Sequence, residues 1–162
     1  MKQVEKILVP TDFTVKSLNL VREAIEHSSA PQLEIVLAHA YLPSSITDLL
    51  FFSKSRLIEK LSNKEFTEAC KLIKSKYDTR IHAMYVDILS SNHASYLNNY
   101  LEGNKIDEVY LPENMEMKPT TTDSIDLVPI LRKCRHTTVM IPLPKSLVFI
   151  PNRVNQVSDL FQ

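Results

Sequence analysis

The hydrophobic positions of this 162-residue chain fall alternately into short continuous runs and into helical spacing. Val4 to Pro10 reads VEKILVP, and its Ile7-Leu8-Val9 run suits a strand buried on both faces. Thr14 is a candidate N-cap, after which Leu18, Val21 and Ile25 recur at helical spacing until Pro31 forbids continuation. Leu33 to Ala40 (LEIVLAHA) predicts a second apolar strand. Ser44 or Ser45 then opens a long polar–apolar stretch to about Tyr77. In it Leu57, Leu61, Cys70, Ile73 and Tyr77 can share one face, Lys54, Lys64, Lys71 and Lys74 lie outside, and a break falls near Ser62-Asn63. Arg80 to Val86 predicts a third strand. Ser90 or Ser91 caps a short helix carrying Ala94, Leu97 and Leu101, with Gly103 where the residue after a helix commonly turns left-handed. Val109-Tyr110-Leu111 predicts a fourth strand, Pro112 to Ser124 a polar loop without periodicity, Leu127 to Cys134 a helix, and Thr138 to Ile141 a fifth strand. Pro129 fits that last helix only near its start.

Strand and helix alternating through five strands is the pattern of an α/β fold: an open, doubly wound, five-stranded parallel sheet with helices on both faces, flavodoxin- or Rossmann-like. Ligands in such folds sit beyond the carboxyl ends of the strands, where the strand order reverses. If the first and fourth strands are neighbours there, Pro10 to Phe13 and Pro112 to Asp126 wall the crevice.

Composition narrows the chemistry. Nineteen Lys plus Arg balance nineteen Asp plus Glu, an argument against a nucleic-acid partner, which calls for a basic excess or face. No apolar run is long enough to span a membrane, and no signal-peptide core precedes the first strand, so a cytoplasmic protein is expected. Cys70 and Cys134 do not make a disulfide framework. A single glycine, where average usage would give about eleven, excludes nearly every Gly-rich phosphate loop and the Gly-x-Ser-x-Gly elbow of serine hydrolases. His27, His39, His82, His93 and His136 fall on different elements without ligand spacing, so no metal site is expected.

The opening KILVPTDFTVKSLNLVREAIEHS, followed by IVLAHAYLP, resembles the universal stress protein family (UspA-like), and the similarity extends over about residues 4 to 142. The resemblance implies a strand order 3-2-1-4-5 and a homodimer formed through the fifth strand. Many members bind ATP through a loop after the fourth strand, written G-x2-G-x9-G-[S/T]. Laid on this chain, its glycines fall on Pro112, Met115 and Ile125, and its Ser/Thr on Asp126, so all four positions differ. Glycines let backbone N–H groups approach phosphate, whereas proline removes a donor, Met and Ile add bulk, and a carboxylate repels the triphosphate. Asp126 could instead cap the following helix. Glu113, Glu116 and Asp123 add like charge. The resemblance also places Pro10, Thr11 and Asp12 at nucleoside-contacting positions and Ala40 beside the base. The alternative for Asp12 is a purely structural one, capping the first helix or holding the turn.

A 1–142 domain and a 143–162 extension, packed on the domain or on a dimer partner, are expected. Pro142 and Pro144 restrict pairing by the fifth strand, and Leu147 to Ile150 could supply another. Leu49-Leu50-Phe51-Phe52 cannot all face one core and could cover a crevice or contact a partner. Tyr96 and Tyr100, four apart, could form an aromatic face. The expected function is a stress-response or regulatory one, exercised through contacts with an unidentified protein, without catalysis, cofactor or ATP. Two alternatives stand beside it: a sensor of a small ligand or nucleoside that uses Pro10, Thr11, Asp12 and Ala40 in the switch-point crevice, and an ATP-binding member that uses other loop residues, with Thr120, Thr121 and Thr122 as candidates.

Overall fold

The computed structural model describes residues 3–43, 45, 47, 53–113, 117 and 123–143. The elements run β1 (Val4–Pro10), α1 (Leu18–His27), β2 (Gln32–Tyr41), α2 (Lys54–Leu61), α3 (Lys64–Lys76), β3 (Ile81–Leu89), α4 (Ala94–Gly103), β4 (Glu108–Pro112), β5 (Ser124–Ile125), α5 (Val128–Leu131) and β6 (Thr138–Ile141). Five strands are parallel, in the order β3-β2-β1-β4-β6, so the doubly wound sheet is present. β1 pairs with β4 through Ile7–Glu108 and Leu8–Val109, which makes their carboxyl ends the switch point.

The continuous apolar runs divide between the two faces because successive side chains of a strand point opposite ways. Ile7, Val9, Leu33, Ile35 and Leu37 pack with α1, α2 and α3 in one core cluster. Leu8, Val36, Ala38, Ala40, Val109 and Leu111 pack with Leu97 and Leu101 of α4 and Leu131 of α5 in the other. Leu143 is also buried in the first cluster.

The break at Ser62-Asn63 is real. Asn63 caps α3, its side chain accepting from the Phe66 N–H at 2.7 Å. The interruption resets the buried stripe, so α3 buries Phe66, Ala69 and Ile73 while Cys70 and Tyr77 are half-buried.

Three expectations are corrected. First, the sheet has a sixth strand: β5 pairs antiparallel with β2, Ile125 opposite Ala40 and Ser124 opposite Tyr41. A two-residue strand has no periodicity to reveal it. Second, both ends of α4 differ from expectation: its N-cap is His93, without a side-chain cap bond, rather than Ser90 or Ser91, and Gly103 is its last residue and has no positive φ. The left-handed position is Lys105, at φ 55°, and a Cβ on Gly103 would meet nothing within 4 Å. Third, the helix expected over Leu127 to Cys134 is regular only over Val128–Leu131 and then loosens into turns that carry the chain to Cys134. Leu49 to Phe52, Thr120 to Thr122 and Leu147 to Ile150 lie outside the described residues.

Candidate functional site

The chain leaves β1 through Thr11, whose N–H donates to the Ala38 carbonyl at 2.9 Å and prolongs the β1–β2 ladder. The turn that follows is built from its own hydroxyls. The Phe13 N–H donates to Thr11 Oγ1 (3.1 Å), and Thr11 Oγ1 lies 2.9 Å from Ser17 Oγ. Ser17 Oγ donates in turn to the Thr14 carbonyl at 2.7 Å, so the proton between the two hydroxyls belongs to Thr11. Thr14 Oγ1 accepts from the Ser17 N–H (3.1 Å), which makes Thr14 the cap of the turn leading into α1. Asp12 Oδ1 accepts from the Thr14 N–H (3.1 Å) and from the Thr14 hydroxyl. The Asp12 carboxylate therefore holds the turn, whatever else it contacts.

Phe13 has φ 63°, a left-handed conformation that sterically disfavours a bulky residue. Burial holds it there. Its ring meets that of His39 nearly edge-on, centroids 4.8 Å apart, and that of Phe66 at 5.3 Å.

His39 ties the site together. It is 3% exposed; Nδ1 lies 2.9 Å from the Thr11 carbonyl and Nε2 2.8 Å from Ser124 Oγ. A carbonyl only accepts, so Nδ1 carries the hydrogen and Nε2 accepts from the serine hydroxyl. Burial holds its pKa below the ordinary 6.5, outweighing the Thr11 carbonyl and the nearby Asp12 charge, which pull the other way. The imidazole is thus a neutral bridge between the loop after β1 and strand β5.

Strand β5 lies across the carboxyl end of β2. Besides its two ladder pairs, the Leu42 N–H donates to the Asp123 carbonyl at 2.9 Å and the Tyr41 hydroxyl to Asp123 Oδ2 at 3.3 Å. Asp126 Oδ1 accepts from the Val128 N–H at 3.0 Å, capping the turn into α5 from one residue before the N-cap, Leu127.

The fold brings Pro10, Thr11, Asp12, Ala40, Ile125 and Asp126 to one crevice, with Ala38, His39, Met117 and Leu127. The free space among them is about 10 Å³, room for one water-sized group. Pro112 stands apart as the buried last residue of β4, its carbonyl accepting from Arg132 at 3.2 Å. Met115 lies outside the described residues. Sequence reasoning placed Phe13 and Ser124 only within the segments walling the crevice, without a role, and missed His39 as part of this site. A lone histidine inside LEIVLAHA and a phenylalanine directly after Asp12 were the available signals; nothing around Ser124 marks it.

Among the described residues, no three His, Cys, Asp or Glu side chains are placed to hold a metal ion. No described helix is long and apolar enough to cross a membrane. Burial raises both thiol pKa values, that of Cys70 to about 11. Tyr96 and Tyr100 do not stack as a pair; the Tyr100 hydroxyl donates to Asp87 (2.6 Å), and that of Tyr96 lies beside Ser90.

No family model matches the sequence, and a search of curated proteins finds no match. Solved structures do match in fold. A hypothetical protein solved as a test case of structural genomics shares 17% identity at a TM-score of 0.53, over 88% of this chain and 99% of its own. A universal stress protein in complex with cAMP shares 14% identity at a TM-score of 0.51, over 86% and 98%. The universal stress protein UspA from Lactobacillus plantarum shares 13% identity at a TM-score of 0.51, over 87% and 99%. At these identities the likeness establishes the α/β fold.

Proposed function

We propose that this chain is a universal-stress-protein-like regulator in the stress response, working through protein contacts with its nucleotide crevice closed. One observation carries the reading: β5 seals the carboxyl end of β2, with His39 bonded to Ser124 beneath it, and about 10 Å³ is left. A nucleoside needs a site roughly thirty times larger. The chemistry at the seal also disfavours a triphosphate. The Asp126 carboxylate lines the crevice, and that of Asp123 stands on the segment that covers it. A cytoplasmic homodimer completes the reading; Met140, exposed on the outer strand β6, supports a second copy there.

The test is calorimetric titration of the full chain with ATP and Mg²⁺, with adenosine, and with cAMP, the ligand named for one structural neighbour. The expected result is no binding heat from any of them. Micromolar affinity for ATP would overturn the reading.

A second reading has its own observation. The cover is two residues long, and polar groups of Thr11, Asp12 and His39 lie at the crevice it covers. If β5 opens, those groups with Pro10 and Ala40 could receive an uncharged nucleoside-like ligand. Adenosine binding without ATP binding would favour it.

A further inference from the structure

A second hollow lies away from the switch point, between α3 and the outer strand β3. It has a volume of about 270 Å³ and opens to solvent on one side. Its lining follows from the register of α3. Phe66 and Ile73 reach the core, and between Phe66 and Lys74 the helix lines the hollow with two short side chains, Thr67 and Cys70. Thr67 Oγ1 is bonded to the Asn63 carbonyl (3.0 Å), so its polar atom is already satisfied. Leu37, Ile58, Met84 and Val86 complete an apolar wall. Burial pushes the Cys70 thiol pKa up to about 11, so it lines the hollow as a neutral group.

One turn beyond Cys70, Lys74 stands at the rim. It is exposed, and no ion pair engages it among the described residues. Lys74 and Met84 also border a second, more polar hollow of about 370 Å³, shared with Asp78, Ile81, His82 and Ala83. The two hollows adjoin at Lys74 and Met84, the first lined mainly by apolar side chains and the second more polar, with the Lys74 ammonium at the junction. That arrangement complements a molecule with an apolar tail and a single negative head; Asp78 disfavours a more highly charged anion such as a phosphate ester.

We propose that this groove binds a medium-chain fatty carboxylate, its tail between α3 and β3 and its carboxylate on Lys74. A chain of about eight to ten carbons suits the volume. The site is separate from the crevice under β5, so it stands or falls independently of the nucleotide titrations.

The experiment is calorimetric titration of the full chain with sodium decanoate and with 1-decanol. Decanoate should bind one per chain, more tightly than the alcohol. Lys74→Met should weaken decanoate about three- to fivefold, the scale of one exposed ion pair, and leave decanol unchanged. Cys70→Phe, which fills the hollow, should abolish both. Should that variant fail to fold, Thr67→Tyr at the rim serves the same purpose, with the thermal melt as the folding control. The proposal is overturned by no binding of decanoate, by binding unchanged in both filling variants, or by affinity indifferent to Lys74→Met. It is equally overturned if sedimentation shows a dimer that the filling variants dissociate, because a second copy would then occupy the groove.

Discussion

The crevice at the β1–β4 switch point and the groove beside β3 are both concave, and they differ in how their polar groups are used. In the crevice, hydroxyls, a carboxylate and an imidazole bond to one another and to the backbone, and about 10 Å³ remains. In the groove, the walls are apolar, about 270 Å³ stands open, and the one cation at the rim has no partner among the described residues. A position suited to binding by topology is thus self-satisfied, while a position with no topological claim is unfilled. Saturated hydrogen bonds argue for a structural role, because a ligand must displace them at a cost.

The largest expected effect comes from Phe13, the wall between His39 and the core. Phe13→Ala should destabilise the fold by about 3 to 5 kcal/mol, less whatever strain its left-handed backbone releases, measured by urea unfolding. A loss below about 1 kcal/mol would mean that the crevice is not packed as described. Next is pH. The His39 pKa is lowered in the folded chain, so between the lowered value and 6.5 the unfolded chain holds the extra proton. Stability should therefore be full above that window and decline as pH falls through it, by at most about 1.4 kcal/mol per pH unit. His39→Asn should flatten this dependence, and an unchanged slope between about pH 7 and 5.5 would assign it to other groups.

Ser124→Ala removes one hydroxyl from the cover. It should cost about 1 kcal/mol and raise amide exchange of Leu42, bonded to Asp123, without affecting amides of α3. Equal exchange in both places would mean that β5 opens only with the whole domain. The smallest effect is distant from both concavities. Gly103→Ala should stabilise by roughly 0.5 to 1 kcal/mol, since the residue is helical and its Cβ would be unobstructed.

Legibility followed the length scale of the interaction. Ile7-Leu8-Val9 and LEIVLAHA announced buried parallel strands because both of their faces must be apolar in any such sheet. The Thr14 cap and the break at Ser62-Asn63 were readable because each rests on residues close in sequence, whereas Asn63 as the cap emerged only from the structure. Crevice residues Pro10, Thr11, Asp12, Ala40, Ile125 and Asp126 were identified from topology and resemblance, and the fold does gather them. What the resemblance could not supply was their relation: Ile125 stands opposite Ala40 as a strand partner.

By itself the sequence determined the α/β class, the alternation of elements, the Thr14 cap and the near absence of glycine, which are local or periodic properties. Tertiary structure alone decided that Phe13 is held at positive φ by two rings and that His39 reaches Ser124 across 85 positions. Each of these depends on side chains brought together by distant parts of the chain, where packing outweighs the preference of a residue for its own conformation.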